Sequence, residues 1–490
     1  MQYGFLIDHD RCIGCHACTV ACKAENDVPV GDFRTWVKYT EEGTFPDIKR
    51  NFAVLRCNHC TDAPCVTICP VNALEKRKDG IVDIDRDACI GCRACMQACP
   101  YDAIYLNEDK GTVEKCHFCA HRVEQGIEPA CVVVCPETAI IAGDLDDPES
   151  KISLMVMNNT TQVRRPEQGT GPNVHYKGVS DIALTPGSAA RPEMYLWSDR
   201  PNDKPEPWPN DLPLAPDART VLDIGHKVEW GWPVAMYLVT KGIAGGVMML
   251  APFAAALGLT GFAHDYVPEL FGLLFILLTN FLLVEDLARP MRFYRMLTRP
   301  NWKSWLVKGG IILTLFSVLV TVLLVLRFTG IETGLSSLRW LGLPLGVAVA
   351  GYTAFLFAQC KGRDLWESKL LLPHLIMQSL MCGSASLLPF APGNTTLQLI
   401  FIFSTSGHGL FALSEVLRRH STDNARQAAA FLRVIRLGPL APYRDGLIIG
   451  VGVSLVMIVF LPAFVCIPAL IGLYLYEHAF IRAGQLPPLS

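Results

Sequence analysis

Hydrophobic positions fall into two regimes along this chain. Up to about residue 231 they come in short runs broken by charge, glycine and proline, and from Trp232 onward they come in long ones. Eight long stretches can be drawn, at about 232–257, 268–287, 305–328, 338–359, 370–390, 396–417, 443–461 and 463–481. Most reach the roughly 20 residues that cross a bilayer core. They are predicted to be helices, because lipid offers no partners to open backbone groups. Only Pro462 separates the last two, so seven spans is the alternative to eight.

The polar regime has two parts. Residues 1–150 carry sixteen of the nineteen cysteines, and residues 151–231 carry none but hold ten prolines between Pro166 and Pro216. Proline blocks helix interiors and stiffens extended chain. Residues 151–231 are therefore predicted to be an irregular connector packed on the cysteine-rich part, with a short amphipathic piece near Val221–Trp230. One internal repeat stands out. Cys12-Ile-Gly-Cys-His-Ala-Cys-Thr-Val-Ala-Cys22 matches Cys89-Ile-Gly-Cys-Arg-Ala-Cys-Met-Gln-Ala-Cys99 at eight of eleven positions. The predicted fold is thus an α+β double ferredoxin-like module over 1–150, the connector, and an all-α polytopic membrane bundle over 232–490.

The cysteines form four groups: Cys12, Cys15, Cys18 and Cys22; Cys57, Cys60, Cys65 and Cys69; Cys89, Cys92, Cys95 and Cys99; and Cys116, Cys119, Cys131 and Cys135. Groups one and three have the bacterial ferredoxin spacing, in which three close thiolates hold one cubane and the fourth reaches the neighbouring one. Pro70, Pro100 and Pro136 follow the last cysteine of groups two to four, while group one has Lys23 there. Zinc in four-cysteine sites is the competing reading. The third close cysteine and the following proline argue against it. A disulfide scaffold fits short secreted chains, and Met1–Asp10 lacks the basic and apolar parts of a secretory signal. Four 4Fe–4S clusters are expected. His16, His59, His117 and His121 are read as neighbours of the ligands, not ligands.

Composition adds little beyond this. Hydrophobic residues make up 51% and charged residues 18%, which suits a soluble part joined to a membrane part. The net charge of −3 gives no reason to expect nucleic acid as a partner.

Ionisable residues inside spans are expensive and so are candidates for function. They are Lys241, Glu285, Asp286, Lys308, His374, His408 and Glu415. Lys241 stands about ten residues, or roughly 15 Å, into the first span. A quinone headgroup needs partners for two carbonyls and a proton route. A pocket at the cluster-side end of spans one to four, built from Lys241, Glu285, Asp286, Arg289 and Tyr352, would supply them. Plainer readings compete: Lys308 snorkelling, Asp286 and Arg289 pairing at a helix end, and His408 and Glu415 packing on one helix face instead of carrying protons.

Two resemblances sharpen the picture. Residues 1–195, with all sixteen cysteines, Cys57-Asn-His-Cys60…Pro64-Cys65 and Pro166-Glu-Gln-Gly-Thr-Gly-Pro172, resemble the four-cluster electron-transfer subunits of the molybdopterin oxidoreductase superfamily. That family's pairing implies four ligand sets: Cys12, Cys15, Cys18 and Cys135; Cys22, Cys116, Cys119 and Cys131; Cys57, Cys60, Cys65 and Cys99; and Cys69, Cys89, Cys92 and Cys95. Residues 232–490 resemble NrfD/PsrC-like quinone-binding membrane subunits through Glu285-Asp-Leu-Ala-Arg-Pro-Met-Arg-Phe293 and Trp302-Lys-Ser-Trp305. Ala288 departs from that family's Asp-Leu-Gly-Arg-Pro. The implied bundle is haem-free.

The resemblances imply a fused subunit that relays electrons between a separate molybdopterin catalytic subunit and ubiquinone or menaquinone in the membrane. Sulfite oxidation with reduction of quinone is the preferred chemistry, and flow in the other direction, from quinol to a reducible substrate, is equally compatible with the residues. A hydrogenase or quinol-oxidising partner, or a proton-translocating module, are the alternatives. Loops two–three, four–five and six–seven carry most of the loop Arg and Lys. The clusters are therefore predicted to face the cytoplasm from the inner membrane, with a reporter fused at Ser490 as the check.

Overall fold

The computed structural model describes residues 1–190, 209, 212, 214–221, 227–331 and 334–490. Its first part is built from small sheets. Strands β1 (Tyr3–Asp8), β2 (Thr35–Thr44), β3 (Asp47–Arg56), β4 (Leu74–Lys76), β5 (Val82–Ile84), β6 (Ile104–Asn107), β7 (Thr112–Lys115) and β8 (Ile140–Asp144) lie in the cysteine-rich part. Strands β9 (Val174–Lys177), β10 (Ala189–Ala190) and β11 (Ala215–Val221) come from the segment after it. The sheets run β8-β1-β9 and β10-β11-β2-β3, with β4-β5 and β6-β7 as separate hairpins. β1 is antiparallel to β8 and parallel to β9. The alternation expected of strands collapses in β1, where Phe5, Leu6 and Ile7 are all fully buried between neighbours on both faces.

The proline-rich segment is therefore less irregular than its composition suggests. Seven of its ten prolines fall between β9 and β11, while Pro166 and Pro172 precede β9 and Pro216 lies in β11; the strands themselves complete the sheets. Val221 ends β11; residues 222–226 of the expected amphipathic piece lie outside the described residues.

Short helices carry the cysteines. Ala17–Asn26, Pro64–Ile68, Ala94–Ala98 and Ala130–Val133 each contain at least one of them. Gly14 and Gly91 occupy equivalent places in the two repeats, at φ +69° and +70°. A Cβ would meet the Phe52 ring at 2.6 Å in the first and the Ala288 Cβ at 2.6 Å in the second. Both the left-handed turn and the close approach demand glycine.

The second part is helical. Eight helices among the described residues are long and apolar enough to cross a membrane: Trp232–Phe253, Val267–Glu285, Trp305–Phe328, Leu335–Ala358, Leu371–Phe390, Thr395–Leu417, Pro442–Phe460 and Pro462–Gln485, spans one to eight. Pro462 does break the last pair, as expected, because proline cannot continue the ladder of span seven. Span one is the central post, 94% buried along its window, while spans two, three, six and seven are buried over 39% or less. Small residues allow this packing. Gly246 on span one lies against Gly383 on span five, where a Cβ would come within 1.9 Å of the Ser379 carbonyl oxygen.

Candidate metal centres and the polar membrane core

The folded chain gathers cysteines that are distant in sequence. One cavity is lined by Cys12, Cys15, Cys18 and Cys135. A second is lined by Cys22, Cys116, Cys119 and Cys131. A third is lined by Cys69, Cys89, Cys92 and Cys95. Cys57, Cys60, Cys65 and Cys99 are within electrostatic reach of one another. The quartets are arranged in file. Cys18 of the first reaches Cys131 of the second, Cys116 of the second reaches Cys57, and Cys65 reaches Cys95 of the last.

The donor set suits a cubane better than an ion. Among the described residues no group of three or more His, Cys, Asp or Glu side chains is arranged to hold a single metal ion, while the quartets stand around cavities. Burial pushes the Cys18 thiol up to about 11 and Cys60 up to about 12. Thiols so placed become thiolates only when a metal displaces the proton. Backbone amides then support the sulfurs: Ala73 N–H donates to Cys69 Sγ at 3.3 Å and Ala139 N–H to Cys135 Sγ at 3.2 Å. His59 is fully buried, and its Nδ1 accepts from Val82 N–H at 3.1 Å. It shapes the turn beside Cys60.

The first quartet is at the surface, with Cys15 exposed and Cys12 and Cys135 half-buried. Ile13, Val20, Val133 and Val134 are exposed around it. The last quartet is clasped by the loop between spans two and three. Asn301 Nδ2 donates to Cys69 O at 2.8 Å, Ser304 Oγ to Ile68 O at 2.6 Å, and Arg292 Nη1 to Cys89 O at 3.0 Å. Ala288 N–H and Arg289 N–H donate to Gly91 O and Ile90 O. Trp230 Nε1 donates to Cys92 O at 3.3 Å, and its ring stacks on Trp366 at 5.7 Å and Phe357 at 6.2 Å. These rings lead from the last quartet into the bundle.

The five residues expected in one polar pocket are not together. Asp286 and Arg289 do not pair with each other. Asp286 makes an ion pair of 2.9 Å with Arg93 beside Cys92, and Arg289 Nε donates to Lys110 O at 2.9 Å. Burial raises the Asp286 carboxyl above its ordinary range, and Arg93 opposes that shift. Glu285 is exposed. Glu285 is the last residue of span two, and Asp286 and Arg289 lie just beyond it, where the docked cluster domain gives them closer partners than the membrane core does. Lys308 covers the Trp305 ring at 4.7 Å, the snorkelling geometry.

Lys241 and Tyr352 do meet. The Lys241 ammonium lies 4.8 Å from the Tyr352 ring centroid, donates to Thr353 Oγ1, and is 1% exposed. Glu477 is within electrostatic reach of it. Gln378 Nε2 donates to Glu477 Oε1 at 2.7 Å and stands 3.3 Å from His374 Nε2. His374 pairs with His408 Nδ1 at 2.8 Å and with Glu415 Oε1 at 3.5 Å, and Tyr476 OH donates to Glu415 Oε2 at 2.6 Å. Sequence reading missed Glu477, Gln378 and Tyr476. Glu477 sits inside the eighth predicted stretch, so the rule that exposed Lys241 would have found it.

The comparisons with known proteins agree with this division. The model described as "Polysulphide reductase, NrfD" matches residues 220–486, more than half of the chain. The chain belongs to the NrfD family. In front of the NrfD part, a 4Fe–4S dicluster domain matches residues 48–145 and a 4Fe–4S binding domain residues 3–24. A subunit of tetrathionate reductase from Salmonella typhimurium is 44% identical over 203 residues, 40% of this chain and 80% of that protein. A component of the polysulfide reductase of Wolinella succinogenes is 39% identical over 176 residues, 35% of this chain and 92% of its own length. Protein NrfC of Escherichia coli K12 is 40% identical over 178 residues, 36% of this chain and 80% of NrfC. The chain is therefore an iron–sulfur electron-transfer module fused to a multi-pass NrfD membrane domain.

Proposed function

We propose that this chain carries electrons between a separate catalytic subunit and membrane quinone, through four 4Fe–4S clusters. The observation that carries this reading is the file of four cysteine quartets that begins at the surface and ends on the membrane spans. The ligand sets are Cys12, Cys15, Cys18 and Cys135; Cys22, Cys116, Cys119 and Cys131; Cys57, Cys60, Cys65 and Cys99; and Cys69, Cys89, Cys92 and Cys95. Bound clusters supply one-electron carriage over a distance that a single tunnelling step does not cover. The protein's own part is to space them, exclude water and dock the last one on the bundle. Residues 1–150 hold the clusters, 151–231 complete their sheets, and 232–490 hold the quinone.

The quinone site centres on Lys241 and Tyr352. An ammonium buried at this depth is costly unless it serves a partner, and it can donate to a carbonyl oxygen. The catalytic subunit docks on the exposed apolar surface around Cys15. Molybdopterin is its expected cofactor. The named relatives belong to reductases of tetrathionate and polysulfide, which favours reduction of an oxidised sulfur compound over the sulfite oxidation expected from sequence. Electrons then run from quinol to substrate. The cluster domain faces the cytoplasm from the inner membrane.

Anaerobic preparation and quinol addition test this. Iron and acid-labile sulfide should be present, and the clusters should reduce on adding quinol. Lys241→Met should abolish that reduction while leaving the iron content intact. A preparation without iron, or a Lys241→Met variant as fast as wild type, would overturn the reading. The buried file Glu415–His374–Gln378–Glu477–Lys241 favours a second reading, proton uptake from the cluster side. It requires Glu477→Gln to slow quinone turnover in a pH-dependent way.

A further inference from the structure

Arg56 is the last residue of β3 and is 2% exposed. Its Nη1 donates to Cys131 Sγ at 3.2 Å, and its guanidinium lies 4.4 Å from the centroid of the Phe5 ring. Nε and Nη2 are buried without hydrogen-bond partners. No carboxylate pairs with Arg56 among the described residues. The groups of opposite charge within its reach are ligand sulfurs: Cys131 and Cys116 of the second quartet and Cys18 of the first. A buried guanidinium without a counter-ion is expensive. The charge that would satisfy it is the net negative charge of a cluster held by thiolates.

We propose that Arg56 is a positioning residue that raises the reduction potential of the cluster held by Cys22, Cys116, Cys119 and Cys131. The inference rests on the cluster assignment above. Reduction adds one electron to that site, and a fixed cation at hydrogen-bonding distance from a ligand sulfur stabilises the added charge. The low-dielectric surroundings leave the effect poorly screened. Asn26 adds to it: its Nδ2 reaches Cys22 Sγ at 3.7 Å and Cys119 Sγ at 3.9 Å. The last quartet differs. Both cations beside it have carboxylate partners: Arg93 pairs with Asp286 at 2.9 Å, and Arg292, which donates to Cys89 O, faces Asp87 at 3.9 Å. The second site is therefore held at a higher potential than the one docked on the membrane spans, and electrons rest there between the two partners.

The test is an EPR-monitored redox titration of the whole protein, with iron analysis on each sample. Arg56→Gln should shift one midpoint to lower potential, Arg56→Lys should shift it less, and the midpoint of the membrane-side cluster should stay put. Asn26→Asp, on a half-buried side chain, should lower the same midpoint and so identify it. If Arg56→Gln does not assemble, the wild-type order decides: the midpoint that Asn26→Asp moves must lie above that of the membrane-side cluster. Full iron with an unmoved midpoint in Arg56→Gln, or the reverse order in wild type, would overturn the role of Arg56. Absence of iron from wild type would instead overturn the cluster assignment.

Discussion

Replacing Gln485 with leucine should unlock the cluster domain from the bundle. Gln485 is 6% exposed at the end of span eight. Its Oε1 accepts from Gln97 Nε2 at 3.0 Å, Glu229 N–H at 3.1 Å and Trp230 N–H at 3.0 Å. Its Nε2 donates to Trp230 O at 2.8 Å and Ile481 O at 3.0 Å. Gln97 lies between Cys95 and Cys99, so one amide ties the last two cysteine quartets, the entry to span one and the last span together. Leucine keeps the volume and removes the acceptor. Three donors are then stranded, at a cost of about 1–3 kcal/mol each. Taking about 1 kcal/mol for each, because water will reach some of them, gives a total near 3 kcal/mol. That raises the local opening equilibrium about a hundredfold. Hydrogen exchange at the Glu229 and Trp230 amides reads it directly, since local opening governs the rate. Their exchange should quicken about a hundredfold in Gln485→Leu. Exchange in the leucine variant within about threefold of wild type would refute the reasoning.

Gly484→Ala would place a Cβ 2.2 Å from Trp366 Nε1, so it should displace that ring and slow quinol-driven cluster reduction; an unchanged rate would show that the stack is no route. Glu269→Gln should cost about 3–5 kcal/mol, because Arg339, 6% exposed, holds Glu269 at 2.6 Å; thermal inactivation in detergent measures it. Burial alone would raise the Glu114 carboxyl, but hydrogen bonds from Arg34 and Tyr105 bring it net below its usual 4.5. The stability it contributes is present above pH 4.5 and lost as pH falls through the lowered value. Glu114→Gln should therefore flatten the acid limb of cluster-domain stability, followed by circular dichroism.

The sequence made the eight spans and the grouping of cysteines legible because both are local signals. Span boundaries follow from continuous apolar runs, and the cysteine groups from loop spacing. What it could not reveal is what each polar group meets. Asp286 and Arg289 are three residues apart and read as a pair. They instead reach Arg93 and the Lys110 carbonyl, nearly two hundred residues away in the chain. Ala288 reads as a departure from a family motif, yet it is the residue that seats on Gly91. The prolines of 166–216 read as irregular chain because β9 and β11 are short and take their partners, β1 and β2, from far upstream. Ser490 reads as a free terminus suited to a reporter. Its carbonyl instead accepts from Lys38 at 2.6 Å and the residue is 5% exposed, so a reporter belongs in the loop after span six.

The arginines used to orient the chain also have a second use. Arg289, Arg292 and Arg299 are held by Lys110 O, Cys89 O and Asp85. Their number therefore reflects docking as well as the bias of loop charge towards the cytoplasm, and they count for less in the orientation than Lys361, Lys369 or Arg419. The buried groups of the bundle give a sharper asymmetry. At the end of the bundle away from the clusters, charges are closed in pairs: Arg339 with Glu269 and Arg327 with Asp265 at 3.0 Å. Such pairs hold helices and exchange nothing. In the half near the clusters, Lys241, Glu477, His374, His408 and Glu415 meet through hydroxyls, an amide and imidazoles, and among the described residues no arginine forms an ion pair with them. Groups joined in that way can take up and release protons without breaking an ion pair. Under the proposed function, proton exchange coupled to a quinone would use this cluster-side set of groups, which is where the last cysteine quartet also ends.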